Sequence, residues 1–166
     1  MAISLTLHID WKISPPLFCT ATETVADLAN ESLRSCQPSR PHKLDNPAEA
    51  VAPPPAPPLA KKHAQLTRYP YLRRTNGKLL AYVDVFVDDF LGLTQGPRHF
   101  LRHFRRTLFH ALDKVLRPLE IQDAKQRKEV LSLKNLHTGY YSWSTCQTLL
   151  GWILDSINMT ITFPLH

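Results

Sequence analysis

Two adjacent aspartates, Asp88 and Asp89, are the side chains of this sequence best suited to chemistry. They follow an apolar run at residues 79–86 and precede a second one at 90–93, a pattern that predicts two strands joined by a tight turn. Mg²⁺ binds carboxylate oxygens and keeps substrate phosphates among its ligands, so a carboxylate pair at a strand end is a candidate site for this ion. Because aspartate is also a common turn residue, a plain turn is the alternative interpretation.

A cluster of basic side chains lies on the helix predicted after this turn. Apolar residues recur at intervals of one, three and four between Pro97 and Pro118, which predicts a helix of about five turns. Its other face carries Arg98, His99, Arg102, His103, Arg105 and Arg106. This face is either simply solvated or contacts nucleic-acid phosphates through its four arginines. The two histidines lie among arginines that repel cations, so zinc binding by this pair is not expected.

Further elements are predicted on both sides of this region. Apolar residues at helical spacing predict an amphipathic helix at 16–35, preceded by prolines of the kind a first helical turn tolerates. The run at 79–86 is expected to be a buried strand. Residues 149–154 and 159–163 predict the two strands of a C-terminal β-hairpin.

Prolines are concentrated in one segment. Nine of the fourteen lie between Pro38 and Pro70, which predicts a polyproline-type linker or a disordered insertion. The chain therefore divides into an N-terminal segment (1–37), this insertion (38–70) and a core (71–166).

The composition restricts the class of protein. With 166 residues, 43% of them hydrophobic, the chain is long enough for one packed domain. Twenty Lys and Arg against 14 Asp and Glu give a net charge of +6, which suits a polyanionic partner. The three cysteines lack metal-ligand spacing, and the sequence contains neither a membrane-spanning apolar run nor a signal-peptide core. We therefore expect an intracellular protein, cytoplasmic or nuclear, that is not secreted.

Three motifs in order carry a family resemblance. Phe86-Val87-Asp88-Asp89 resembles the Tyr-x-Asp-Asp box of reverse transcriptases. Upstream, the segment at 11–18, WKISPPLF, resembles the Ser-Pro-x-x-Phe segment that precedes a helix in that family. Downstream, the segment at 149–152, LLGW, resembles its Leu-Gly-aromatic primer-grip hairpin. The longer phrases at 14–30 and 150–164 resemble polyproteins of eukaryotic retrotransposons.

The resemblance implies an α+β fold, part of a polymerase palm: a small antiparallel sheet with packed helices, a Pro-rich disordered insertion and a C-terminal β-hairpin. It implies nucleotidyl transfer from dNTPs to a primer on an RNA or DNA template, with Asp88 and Asp89 as catalytic ligands of two Mg²⁺ or Mn²⁺ ions. The implied nucleotide and template contacts are Trp11, Lys12, Ser14, Pro15, Phe18, Phe86 and Val87. The implied primer grip is Leu150, Gly151 and Trp152. The other segments of a polyprotein are implied as further partners.

The sequence also departs from the family pattern, and these departures reduce the activity that we expect of the chain. The family's metal site also uses an aspartate from an earlier palm strand, and no segment before Trp11 predicts such a strand. The fingers subdomain is also missing, so we expect the isolated chain to be inactive as a polymerase. Two alternatives stay open: a non-catalytic nucleic-acid-binding protein that uses the helix arginines with Lys61 and Lys62, and a decayed retroelement reading frame.

Overall fold

The computed structural model describes residues 2–6, 15–35, 39–54, 80–87, 89–116, 130–158 and 160–163. These residues form an α+β fold with two small antiparallel sheets, which confirms the predicted class. The elements in chain order are β1 (Ala2–Thr6), α1 (Pro15–Ser35), α2 (Asp45–Ala50), β2 (Ala81–Phe86), β3 (Asp89–Thr94), α3 (Arg98–Val115), α4 (Leu133–His137), β4 (Cys146–Leu149), β5 (Trp152–Asp155) and β6 (Thr160–Thr162).

The first sheet has the order β1-β3-β2. The predicted hairpin of β2 and β3 is confirmed, and the positive φ of Val87 (57°) marks its turn. β1 was not predicted from the sequence, and its residues AISLT include no aspartate. It pairs antiparallel with β3, so that Thr6 lies opposite Asp89. A five-residue strand paired with a segment more than 80 residues away leaves only a faint local signal in the sequence.

The expectation of a fully buried strand at 79–86 is also wrong. Burial alternates along β2: Val83 is buried, whereas Tyr82 and Phe86 are exposed. β2 is an edge strand with one face toward the core. Asn30 of α1 covers this edge, since its side chain donates to the Val83 carbonyl and accepts from the Val83 N–H, both at 2.8 Å.

The main core lies between the first sheet and helices α1 and α3. Both helices confirm the predicted ranges, and their apolar faces meet in a buried cluster that includes Val25, Leu33, Phe104 and Leu108. Close approach depends on Gly92 of β3, because a Cβ there would lie 2.7 Å from Cε1 of Phe104 and 2.6 Å from Cγ2 of Ile3. The sheet and α3 are therefore in direct contact at the centre of the core.

Residues 39–54 were expected to belong to a disordered insertion, and for these residues the expectation is wrong. They form α2 and contribute His42, Leu44, Asp45 and Ala48 to the interior. Pro47 sits in the first turn of α2, where the missing N–H removes no helical hydrogen bond. The Ser142 hydroxyl contacts the carbonyls of Ala48 and Val51, which fastens the segment to the chain before β4. The rest of the predicted insertion, 55–70, lies outside the described residues.

The second sheet has the order β4-β5-β6, so the predicted β5–β6 hairpin is confirmed but belongs to a three-stranded meander. The expected single strand at 149–154 is wrong, because a turn interrupts it. Leu150 and Gly151 have φ values of 51° and 78°, and a two-residue turn of type I′ requires positive φ at both positions. This turn joins β4 to β5.

Candidate functional site

The end of the β2–β3 hairpin opens onto a cavity of about 410 Å³. Asp89, the first residue of β3, is half-buried and contributes to its wall. The cavity is lined by Asp89, Lys134, Asn135, Thr138, Tyr140, Thr148, Leu149 and Leu150. Two of the three sequence motifs therefore meet here: the aspartate hairpin and the Leu-Gly turn, which are far apart in the sequence.

Contacts between the two sheets position this cavity. β1 lies beside β3 on one side and contacts β4 on the other, so the short N-terminal strand links the hairpin to the meander. α4 supplies Lys134 and Asn135, and Ser132 caps its N-terminus, since the Ser132 hydroxyl accepts from the Asn135 N–H at 3.3 Å. The cavity thus combines a carboxylate, an ammonium group and a wall with apolar residues.

Lys134 and Tyr140 were not predicted as site residues. Lys134 is the only Lys or Arg between residues 130 and 166, which is the one signal in the sequence that could have marked it. Both side chains are exposed, Tyr140 to 44% of its surface. An ammonium group and an aromatic ring beside a carboxylate suit a ligand with phosphate groups and flat bases.

Of the other predicted site residues, some lie outside the described residues, some are exposed, and one is buried in the core. Asp88, Trp11, Lys12 and Ser14 lie outside the described residues, and Pro15 is the first residue of α1. Phe86 and Val87 are exposed at the hairpin end. Phe18, expected to contact nucleotide or template, is only 8% exposed and packs in the core, so its side chain offers little surface to a ligand.

The predicted primer-grip residues lie at an exposed turn. Leu150 is 49% exposed, and Gly151 has open space where a side chain would stand. The indole of Trp152 stacks on the ring of Phe163, with the ring centroids 3.5 Å apart. Leu150 faces the cavity with Asp89, whereas Trp152 of β5 and Phe163, which directly follows β6, form an aromatic pair.

The basic face of α3 is not the open surface that the sequence predicts. Arg105 is buried, with its side chain 4% exposed, and its Nη2 donates to the Asp45 carbonyl at 3.3 Å. Arg106 binds the Asp45 carboxylate through Nε, and Arg102 binds Glu49 at 2.5 Å. The expectation of a solvated face is therefore wrong for Arg105, because α2 lies across it.

These ion pairs change the protonation chemistry of the groups involved. Burial lowers the pKa of the Arg105 guanidinium, while Asp45 and Glu49 act in the opposite direction. The hydrogen bond from Arg102 holds the pKa of Glu49 below its ordinary value. Three of the four arginines predicted to contact phosphates are thus engaged with α2, and Arg98 at the start of α3 is exposed.

A possible metal-binding group occurs elsewhere, on α3 and the segment before α2. Potential ligand atoms of His42, His110 and Asp113 all lie within 4.8 Å of one another. This group was not predicted from the sequence, because His42 comes from the segment expected to be disordered. The spacing of His110 and Asp113, three residues apart on a helix, is the only local signal for it.

Comparisons with known proteins identify no relative: no family model, no curated protein and no solved structure matches the chain. Within the part of the chain that the structure describes, no helix combines the length and the apolar character needed to cross a membrane.

Proposed function

We propose that this chain is part of a reverse transcriptase palm, in which the β2–β3 hairpin binds divalent cations and the Leu150-Gly151 turn contacts the primer strand. One observation supports the proposal most strongly: Asp89 and Leu150, named from two separate motifs, line the same cavity. Two turns with unrelated roles would not be expected to line the same cavity.

The residues of the cavity have distinct roles in this proposal. Asp89 of the cavity wall, together with its sequence neighbour Asp88, would hold Mg²⁺ or Mn²⁺, since hard cations select carboxylate oxygens. When bound, such cations would supply Lewis-acid chemistry, namely a lower pKa for the primer hydroxyl and charge neutralisation at the leaving pyrophosphate. Lys134 attracts phosphate oxygens as a point charge. Tyr140, with 44% of its surface exposed, offers a ring for a base to stack on.

The residues of β1, the strand next to the hairpin, affect the expected affinity for cations. β1 has the sequence AISLT, which contains no carboxylate, and its residue opposite Asp89 is Thr6. A palm strand in this position would be expected to supply a third carboxylate. The proposal therefore includes weak cation binding and no primer extension by the chain on its own.

Mn²⁺ titration followed by electron paramagnetic resonance tests the cation site. The unmodified chain is expected to bind Mn²⁺, and the double variant Asp88→Asn with Asp89→Asn is expected to lose that binding. Asp84→Asn is the matched control, because Asp84 is an exposed aspartate of the same hairpin. Equal Mn²⁺ binding by the double variant and the control would contradict the proposal.

A gain-of-binding variant gives an independent test. Directly opposed residues of an antiparallel pair have Cβ atoms about 4.5–5.5 Å apart, so Thr6→Asp adds the third carboxylate opposite Asp89. We expect Mn²⁺ affinity to rise about tenfold, which corresponds to about 1.4 kcal/mol. Ala2→Asp, at the far end of β1 opposite Leu93, is the control and should leave the affinity unchanged. No gain in Thr6→Asp would mean that cations do not bind at this end of the hairpin.

A further inference from the structure

Two histidines and an aspartate converge where the segment before α2 crosses α3. His42 is buried, with its side chain 4% exposed, and its Nε2 lies 3.0 Å from Oδ2 of Asp113. His110 stands one helical turn before Asp113 on α3, and its ring lies edge-on to that of His42 with centroids 5.1 Å apart. The group thus joins two segments that are about 70 residues apart in the sequence.

The hydrogen bonds of His110 prepare it as a ligand. Nε2 lies 2.9 Å from the Arg40 carbonyl, which can only accept, so Nε2 carries the proton and donates it. Nδ1 is then unprotonated. A metal-bound histidine typically donates its other ring N–H to a carbonyl or carboxylate in this way, which fixes the tautomer and the ring orientation.

His42 shares its Nε2 proton with Asp113, and its Nδ1 accepts from the Leu44 N–H at 3.1 Å. A cation between His42 and Asp113 takes the place of that proton. The ring proton then moves to Nδ1, and the hydrogen bond from Leu44 is given up. In exchange, two imidazole nitrogens and one carboxylate oxygen each form a bond to the metal.

We propose that His42, His110 and Asp113 bind a zinc ion. Imidazole nitrogen suits Zn²⁺ and other late first-row cations, whereas Mg²⁺ and Ca²⁺ prefer oxygen donors throughout. Three protein ligands leave a fourth position of a tetrahedral site open. His110 and Asp113 also line a second cavity of about 400 Å³, from which water can reach that position.

The zinc ion would tie the segment before α2 to α3. α2 itself carries Asp45, which pairs with Arg105 and Arg106 of α3, so the metal and the ion pairs would fasten consecutive segments to the same helix. The zinc site is independent of the proposed polymerase function, because none of the residues that the structure describes lines both the cavity beside His110 and the one beside Asp89.

Isothermal titration of the full chain with zinc chloride, after treatment with a chelator, tests the proposal. We expect one zinc ion per chain. His110→Ala and Asp113→Asn should each weaken binding by about 100-fold or more, since loss of a metal ligand exceeds the 10–100-fold effect of outer partners. His99→Ala is the matched control, because His99 is an exposed histidine of the same helix. No binding, or equal weakening by all three variants, would overturn the proposal.

If the variants fail to fold, visible absorption of the unmodified chain loaded with Co²⁺ shows which kind of ligand atoms bind the metal. Tetrahedral coordination by nitrogen and oxygen is the expected signature. Thiolate-to-cobalt charge transfer would instead assign the metal to cysteines such as Cys19 and Cys146, and six-coordinate Co²⁺ would exclude a built tetrahedral site. Either of these results would overturn the proposal.

Discussion

Each of the two sheets of this protein is stabilised by a different kind of interaction. The first sheet packs against α1 and α3, and Ile3, Val83 and Phe90 from its strands are almost completely buried. In the second sheet, Ile153 is the one fully buried apolar residue among those that the structure describes, alongside the polar Gln147 and Asp155. The same sheet leaves Trp152, Ile161 and Phe163 exposed.

The first sheet with α1 and α3 forms the well-packed part of the molecule, called the platform below, whereas the second sheet leaves much of its apolar surface exposed. Packing determines the geometry of the first sheet, where even one added methyl at Gly92 would collide with Phe104. Turn chemistry determines the geometry of the second, through the Leu150-Gly151 turn and the hydrogen bonds of Asp155. A sheet shaped by its turns can expose apolar and aromatic side chains toward a ligand without losing its own fold.

The largest expected effect comes from the core of the platform. Phe104→Ala removes a fully buried ring that packs edge-on against Trp143, and we expect a loss of about 4 kcal/mol in the free energy of unfolding. Phe163→Ala in the second sheet removes an exposed ring and should cost about 1 kcal/mol or less. Urea denaturation measures both. Similar losses would mean that the two sheets do not differ as described.

The buried ion pairs of the platform give the next largest effect. Asp45→Asn removes the buried carboxylate beside Arg105 and Arg106 and leaves Arg105 only the half-exposed Glu49, 3.9 Å from its Nη2, so we expect a loss of about 3 kcal/mol. Glu49→Gln is the matched control, because Glu49 is about half-exposed and its pair with Arg102 should contribute less than about 1 kcal/mol. Equal losses in thermal denaturation would contradict burial as the cause.

The smallest expected effect concerns a turn of the second sheet. Burial raises the pKa of Asp155, but hydrogen bonds from Asn158 and Ile157 outweigh it, so the pKa lies below its ordinary value. A carboxyl whose pKa is lower in the folded state stabilises above the unfolded pKa, and this contribution is lost as the pH falls through the folded pKa. Asp155→Asn should therefore cost about 1 kcal/mol at neutral pH.

Unfolding measured across a pH series provides the check. The difference in stability between the unmodified chain and Asp155→Asn should shrink below about pH 4, where the carboxyl begins to protonate in the unfolded chain. A difference that stays constant down to the acid limit would show that the charge of Asp155 does not hold the turn.

Local patterns predicted the elements of the platform better than their contacts. The periodicity of α1 and α3 and the apolar runs around Asp88 and Asp89 gave the correct elements, since these signals lie within single segments. β1 escaped prediction because its partner is distant in the sequence. Proline counts misrepresented residues 39–54, whose order comes from burial against α3 and from ion pairs that only the folded chain contains.

For the candidate site, too, the sequence predicted individual residues but not the contacts between them. Motifs named Asp89 and Leu150, but only the fold reveals that both line one cavity with Lys134. Arg105 was expected in solvent because its partner Asp45 belongs to the segment taken for a linker. The group of His42, His110 and Asp113 also needs this segment in place, so no inspection of α3 alone could have found it.

Photo-crosslinking of a primer–template duplex tests the central claim most directly, because it locates the primer end on the protein. A photoreactive base at the primer 3′ end should label peptides that contain Asp89 and the Leu150-Gly151 turn. The same base at the primer 5′ end serves as the control and should not label them. Labelling confined to α3, or identical labelling from the two ends, would contradict the assignment of this cavity to the primer.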